Sequence, residues 1–207
     1  RFNTVELPKN FIQLDETNIH HKKYIDYLNQ RNIDIKSHQF YITPDDMVFR
    51  RNKNRIIIPY YHKNKVVGYT SRFLDNNIPK YLNISQQPGY VFNIDKQQKD
   101  NSVVIVTEGI FDAISIDGLA VMHDDINDDQ ARMIANLNRR VIVVPDYDKT
   151  GMKLIDRALE LGYHVSMPPW EPGVKDVNDA VKAYGRLATM YLILQAKESN
   201  SLKIQLR

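Results

Sequence analysis

Two segments decide the fold of this chain, Val103-Val-Ile-Val-Thr-Glu-Gly109 and Val141-Ile-Val-Val-Pro-Asp-Tyr-Asp148. Each is a short β-branched run that ends in acidic residues. Apolar residues at helical spacing follow, between Phe111 and Ile116 after the first run and between Met152 and Leu161 after the second. Because near-continuous apolar strands that alternate with helices are typical of a parallel sheet covered on both faces, the sequence predicts an α/β fold.

Three further segments continue this alternation. Residues 128–137 predict a helix between the two strands, residues 163–167 predict another short strand, and residues 176–184 predict a helix that ends at Gly185. In such sheets the functional site lies beyond the carboxyl ends of the strands.

The first half of the chain has a different pattern. Residues 20–40 predict one or two short amphipathic helices, and a turn follows at residues 43–46. The segments 55–61 and 66–73 predict two strands of a hairpin, joined by the polar turn 62–65. We therefore expect an α+β arrangement overall, in which a small subdomain with a basic hairpin precedes the parallel sheet.

The net charge of +3 hides an uneven distribution. Residues 1–100 contain sixteen basic and ten acidic side chains, whereas residues 101–207 contain twelve and fifteen. Between residues 50 and 80 the single acid Asp75 stands among eight basic side chains: Arg50, Arg51, Lys53, Arg55, Lys63, Lys65, Arg72 and Lys80. A surface this basic favours a polyanionic partner.

These patterns predict three parts of the chain. We expect residues 1–101 to form a basic subdomain of helices and a hairpin, residues 102–186 to form the α/β domain, and residues 187–207 to form a helical tail. Because the chain begins with Arg1 and not Met, we expect it to be a piece of a longer protein.

The composition excludes several classes of protein. The absence of cysteine excludes disulfides, thiolate nucleophiles and cysteine-ligated zinc, and it fits a reducing compartment such as the cytoplasm. We expect no membrane span, because no apolar run approaches the necessary ~18 residues. The six histidines have no spacing typical of a metal site, and no Walker-type phosphate loop is present.

Acidic residues follow each predicted strand of the second half. Because the carboxyl ends of parallel strands lie side by side, we expect these acids to converge and to repel one another unless a cation neutralises them. Magnesium or manganese, which prefer oxygen ligands, would fill that role. The predicted metal ligands are Glu108, Asp112, Asp146, Asp148 and Asp176.

Helix capping is the alternative interpretation of these acids. Asp146 or Asp148 could cap the following helix, and Asp176 with Asp179 is a typical capping pair. Capping requires one acid per helix, however, so two acids after each of the first two strands favour a shared site.

Three motifs in this half resemble the TOPRIM domain of bacterial-type primases, topoisomerases and related nucleases. They are Thr107-Glu-Gly-Ile-Phe-Asp-Ala113, Pro145-Asp-Tyr-Asp-Lys-Thr-Gly151 and Lys175-Asp-Val-Asn-Asp-Ala180. The resemblance implies that Glu108 of the first motif and the Asp146–Asp148 pair of the second hold the metal and are the catalytic residues. The third motif has Asn178 where many bacterial primases have Asp, and in this it resembles the motif of phage and mitochondrial primase-helicases.

The basic hairpin resembles the segment that precedes TOPRIM in the RNA-polymerase domain of bacterial and phage DNA primases. This resemblance implies template-directed synthesis of RNA primers from ribonucleoside triphosphates on single-stranded DNA. It also implies a replicative helicase as partner, bound through regions outside this chain, and a bacterial cell or phage-infected host. The residues it implies for template and nucleotide binding are Arg55, Arg72, Lys80, Tyr81 and Asn83.

Other functions remain open at this point. A TOPRIM nuclease would use the same acids, with water as the attacking group, and a non-catalytic module would only bind single-stranded nucleic acid. The aromatic side chains of the hairpin could stack on bases or could fill its core; they are Tyr60, Tyr61, Tyr69, Phe73 and Tyr81.

Overall fold

The computed structural model describes residues 2–43, 53–75, 78–97, 101–147, 151–200 and 203–204. The chain divides into two compact units, 1–88 and 89–207. The amino-terminal unit has the predicted hairpin, and the carboxyl-terminal unit has the predicted parallel sheet.

The amino-terminal unit is built on an antiparallel sheet. Its strands are β1 (Ile12–Gln13), β2 (Tyr41–Ile42), β3 (Arg55–His62), β4 (Lys65–Phe73) and β5 (Tyr81–Ile84), which pair in that order. The predicted hairpin is therefore confirmed as β3 and β4, while the short strands β1, β2 and β5 carry no clear alternation in the sequence. The predicted turn at 43–46 lies mostly outside the described residues.

Helix α1 (Lys22–Gln30) belongs to the same unit and confirms the amphipathic pattern predicted there. Tyr24 and Leu28, one turn apart, are both buried. A 3₁₀ turn, Ile19–His21, leads into the helix, and Asn18 caps this turn by accepting the His20 N–H.

The carboxyl-terminal unit contains a mainly parallel sheet. Its strands are β6 (Val103–Thr107), β7 (Leu119–Ala120), β8 (Arg140–Val144), β9 (His164–Ser166) and β10 (Lys197–Glu198). The spatial order is β10-β9-β8-β6-β7, and only β10 is antiparallel to its neighbour. The predicted α/β fold is confirmed.

Helices cover both faces of this sheet. They are α2 (Ile110–Ile116), α3 (Asp128–Ala135), α4 (Gly151–Glu160), α5 (Val177–Tyr184) and α6 (Arg186–Ala196). Val141 and Val143 point to the face covered by α3 and α4, whereas Ile142 and Val144 point to the face covered by α5 and α6. This alternation explains why β8 is apolar throughout.

The carboxyl-terminal segment is part of the sheet's architecture. Strand β10 adds to the edge of β9, and Ile193 of α6 is completely buried against the sheet. No helix among the described residues is long and apolar enough to cross a membrane.

Candidate functional site

The ends of β6 and β8 bring two of the predicted acids together. Thr107 pairs with Val144 in the parallel register, so Glu108 and Asp146 follow directly at the same edge of the sheet. The backbone N–H of Asp146 donates a hydrogen bond of 3.1 Å to Oε1 of Glu108. This contact joins two turns that are 38 residues apart in sequence.

Asp112 lies in the first turn of α2 and is buried, with 6% of its surface exposed. Its Oδ1 accepts a 2.7 Å hydrogen bond from the backbone N–H of Asn178, at the start of α5. Burial raises the pKa of the Asp112 carboxyl well above its ordinary value, and the nearby charges of Asp176 and Asp146 raise it further. Asp112 therefore lies among the acids of all three turns and favours its neutral form.

Gly109 makes this close arrangement possible. A Cβ atom at this position would lie only 2.2 Å from Oδ2 of Asp112, so a larger residue would displace the buried carboxyl. The absence of a side chain at residue 109 thus lets Asp112 fold back toward the end of β6.

Asp176 has two roles in this arrangement. It is the N-cap residue of α5, and its side chain accepts a 2.7 Å hydrogen bond from the Asp179 N–H, which confirms the helix-capping interpretation for this residue. The same carboxylate is close enough to Asp112 to raise its pKa. Capping and membership of the acidic cluster are therefore compatible here.

We define the acidic cluster as Glu108, Asp112, Asp146 and Asp176. Among the described residues, no three acidic or histidine side chains are arranged as a ready metal-binding group, and the predicted ligand Asp148 lies outside that part of the chain. The donor chemistry nevertheless fits a hard divalent cation, because the cluster offers only carboxylate oxygens. The backbone contacts Asp146 N–H to Glu108 and Asn178 N–H to Asp112 bring the three acidic turns together, so their carboxylates form a negative region that such a cation would neutralise.

A cluster of three aromatic rings lies next to these acids, and the sequence analysis missed it. The rings of Tyr147 and Trp170 have centroids 6.4 Å apart, and Trp170 stacks on Tyr184 of α5 at 6.1 Å. The backbone N–H of Tyr147 also donates to the carbonyl of Lys175, at 2.9 Å. The only available signal was the position of Tyr147 between two motif aspartates.

Arg55 differs from its predicted role. The resemblance places it on a basic surface, but only 1% of its surface is exposed. Its guanidinium donates to the carbonyls of Ser71 at 2.8 Å and Pro79 at 2.6 Å, and it lies 3.5 Å from the ring centroid of Phe73. Arg55 therefore ties β3 to β4 and to the segment before β5.

Arg72 is also buried, at 4% exposure. Its Nε donates a 3.0 Å hydrogen bond to the hydroxyl of Tyr27 in α1, and its guanidinium lies 4.7 Å from the ring centroid of Tyr81. The remaining predicted binding residues lie on or just before β5, at the edge of the sheet. Of these, Lys80 and Asn83 are exposed and Tyr81 is half-buried.

The hairpin aromatics divide between the two alternatives. Tyr60 and Tyr69 are buried, so they belong to the core and are not available to stack on bases. Tyr61, Phe73 and Tyr81 remain partly exposed. Of the eight basic residues between positions 50 and 80, Arg50 and Arg51 lie outside the described residues.

The chain is similar in sequence to curated bacterial DNA primases. It is 28% identical over 167 residues to the DNA primase of Clostridium acetobutylicum, which covers 72% of this chain and 28% of the relative. It is 29% identical over 161 residues to that of Halalkalibacterium halodurans, covering 68% of this chain and 26% of the relative. The chain thus spans little more than a quarter of these relatives. No protein-family model matches it.

Solved structures of primases have the same fold. The DnaG catalytic core superposes with a TM-score of 0.70 at 19% identity, covering 86% of this chain and 74% of the other. A DnaG primase catalytic domain bound to single-stranded DNA gives a TM-score of 0.69 at 18% identity, covering 87% and 74%. The primase fragment of the bacteriophage T7 primase-helicase protein gives 0.61 at 16% identity, covering 81% and 73%. The chain therefore has the fold of these primase catalytic domains.

Proposed function

We propose that this chain is the catalytic part of a DNA primase, which synthesises short RNA primers on a single-stranded DNA template. The observation that carries the proposal is the meeting of acids from three separate turns at the carboxyl edge of a sheet with the primase fold. The sequence similarity to bacterial primases supports this particular activity among the reactions that such a fold can host.

Glu108, Asp146 and Asp148 would hold magnesium or manganese, and Asp176 would contribute to the same negative field. When bound, such an ion neutralises phosphate charge and lowers the pKa of a bound hydroxyl group. Asp112 has a different role in this proposal. Its carboxyl is buried and accepts the Asn178 N–H, so it supports the start of α5.

The amino-terminal unit would bind the template and the incoming ribonucleoside triphosphate along the β5 edge. The side chains of Lys80 and Asn83 are exposed and that of Tyr81 is half-buried, so this edge would present a positive charge, an amide group and an aromatic ring to phosphates and bases. Arg72 would position Tyr81 rather than bind nucleotide, because its guanidinium packs on the Tyr81 ring and its Nε donates a hydrogen bond to the Tyr27 hydroxyl. Arg55 would stabilise the sheet through its hydrogen bonds to the carbonyls of Ser71 and Pro79, and we propose no contact between Arg55 and nucleotide.

The partners and the location follow from the same proposal. Single-stranded DNA is the bound molecule in one structural neighbour, and a primase-helicase supplies another, so we propose a DNA template and a replicative helicase as partners. The helicase would bind through regions outside this chain. Replication in the cytoplasm of a bacterium or a phage-infected cell is the setting that fits these partners.

A primer-synthesis assay tests the proposal. The protein is incubated with single-stranded DNA, labelled ribonucleotides and Mg²⁺ or Mn²⁺. We expect Asp146→Asn to reduce primer synthesis about 10³-fold, because loss of a metal-binding charge costs several kcal/mol. Lys80→Ala should reduce it about tenfold, the effect of one lost charged contact to phosphate.

Matched variants give this assay its controls. Asp156→Asn removes an exposed acid from α4, and Lys9→Ala removes an exposed amino group from the amino-terminal unit, so both should retain full synthesis. Degradation of the template without incorporation of nucleotides would indicate a nuclease. Tight DNA binding that does not depend on metal or on Asp146, without synthesis, would indicate a binding module.

A further inference from the structure

Tyr147 makes two hydrogen bonds to one loop, the segment 168–175 that connects β9 to α5. Its backbone N–H donates to the carbonyl of Lys175, at 2.9 Å, and its hydroxyl donates to the carbonyl of Pro168. The two bonds hold both ends of the loop. Because Tyr147 follows Asp146 and Lys175 precedes Asp176, the first bond also links the backbones beside two acids of the acidic cluster.

Trp170 connects the same loop to α5. Its ring lies 6.4 Å from the ring of Tyr147 and stacks on the ring of Tyr184, with an interplanar angle of 25° to the latter. The hydroxyl of Tyr184 accepts a 2.9 Å hydrogen bond from the backbone N–H of Glu171. The loop is therefore fixed to the turn after β8 and also to the helix that Asp176 caps.

These contacts oppose a force that the acidic cluster generates itself. Glu108 accepts the backbone N–H of Asp146, and Asp112 accepts the backbone N–H of Asn178, two residues after Asp176, so acids of the three turns are held together. Like charges held together tend to push their loops apart when no cation neutralises them. Ring packing and two hydrogen bonds to backbone carbonyls hold the loops without adding a positive charge that would compete with a metal ion.

We propose that Tyr147 and Trp170 are positioning residues of the acidic cluster, which fix the spacing between Asp146 and Asp176 and thereby raise its affinity for a divalent cation. The inference rests on the proposed function only in assuming that the acidic cluster binds such a cation. A preset spacing saves the cost of ordering two loops when the ion binds, as partners of metal ligands do in other sites.

The test measures Mn²⁺ affinity of the whole chain by titration, with free Mn²⁺ followed by electron paramagnetic resonance. Tyr147→Phe keeps the ring and loses the hydrogen bond to Pro168. Tyr163→Phe is the matched control, because the Tyr163 hydroxyl also donates to a backbone carbonyl in the same unit, that of Ala131, at 3.3 Å. We expect Tyr147→Phe to weaken Mn²⁺ binding about tenfold, and Tyr163→Phe to change it less than about twofold.

A second pair of variants tests the ring contacts. The indole Nε1 of Trp170 is buried without a hydrogen-bond partner in the described part of the chain, so Trp170→Phe keeps an aromatic ring and removes no bond of that atom. Trp170→Ala removes the packing on both tyrosines. We expect Trp170→Ala to weaken Mn²⁺ binding about tenfold and Trp170→Phe less than about threefold.

Trp170 also supplies a spectroscopic readout, because it is the only tryptophan of the chain. Bound Mn²⁺ should quench its fluorescence in the wild type, and the quenching midpoint should move to about tenfold higher Mn²⁺ in Tyr147→Phe. A merely structural role of Tyr147 would lower the unfolding temperature and leave the midpoint unchanged. Unchanged Mn²⁺ affinity in Tyr147→Phe and Trp170→Ala overturns the positioning role. A wild type that binds no Mn²⁺ overturns the metal site of the proposed function as well.

Discussion

Charged residues of the two units have opposite surroundings. In the carboxyl-terminal unit, predicted acids gather at one sheet edge, where Glu108 accepts the Asp146 N–H and Asp112 responds to two neighbouring carboxylates. In the amino-terminal unit, the predicted nucleotide-binding residues Arg55 and Arg72 are buried in and beside an antiparallel sheet. The carboxyl-terminal unit gathers acidic side chains at one site, whereas the amino-terminal unit has buried arginines that hydrogen-bond its strands and helix.

The difference follows from the two kinds of sheet. The carboxyl ends of parallel strands all lie on the same side of the sheet. A residue that directly follows a strand therefore lies on that side, whichever face the strand's last side chain points to. In an antiparallel sheet, the position of a residue within its strand decides to which face its side chain points. A long side chain such as arginine can then reach backbone carbonyls of a neighbouring segment. Sequence motifs therefore locate the acids better than they locate the arginines.

The largest expected effect on stability tests the structural role of Arg55. Arg55→Met should lower the free energy of unfolding by about 3 kcal/mol, because the carbonyls of Ser71 and Pro79 lose a charged donor. Lys80→Met, on an exposed side chain, should stay within about 0.5 kcal/mol. Urea unfolding measures both. If both variants lose the same free energy of unfolding, Arg55 has no special structural role and the contrast between the two units is wrong.

A somewhat smaller effect should come from Gly109. Gly109→Ala places a Cβ atom against Oδ2 of Asp112 and should lower the free energy of unfolding by about 2 kcal/mol. The double variant with Asp112→Ala should be less destabilised than the sum of the two single variants, because the clash is gone. Additive losses in urea unfolding would contradict close packing at this strand end.

Tyr27→Phe should cost about 1 kcal/mol, since it removes the acceptor of the Arg72 Nε hydrogen bond. Tyr191→Phe, on an exposed side chain of α6, is the control and should stay within about 0.5 kcal/mol. Thermal unfolding of the two variants side by side measures the difference. If Tyr27→Phe is as stable as the control, the hydrogen bond between Tyr27 and Arg72 does not stabilise the unit, and the structural role given to Arg72 is wrong.

The smallest effect is expected for Asp112→Asn in protein freed of metal with EDTA. Burial and two carboxylates raise the pKa of Asp112 and favour its neutral form, which an amide imitates, so the change should be below about 1 kcal/mol. Asp112→Ala should cost about 2 kcal/mol, because the Asn178 N–H loses its acceptor. If Asp112→Asn is as unstable as Asp112→Ala, the charged carboxylate is the form that the fold requires.

The sequence predicted several elements of the carboxyl-terminal unit with nearly correct bounds. The strand predicted at residues 163–167 is β9, and the helix predicted at residues 176–184 is α5, with Asp176 as its cap. It did not predict β7 or β10, each only two residues long, which have no room for a periodic pattern. Short edge strands exist because a neighbouring strand offers hydrogen bonds, and that is a tertiary property.

Chain order and periodicity alone predict the order of elements in the second half and the placement of Glu108, Asp146 and Asp176 after successive strands. The contacts of Arg55 with the carbonyls of Ser71 and Pro79 could be seen only after the chain was folded. The tertiary structure also decided that Tyr147, Trp170 and Tyr184 form one cluster. Such contacts join residues far apart in sequence, and the direction of each long side chain depends on which partner satisfies its hydrogen bonds after folding.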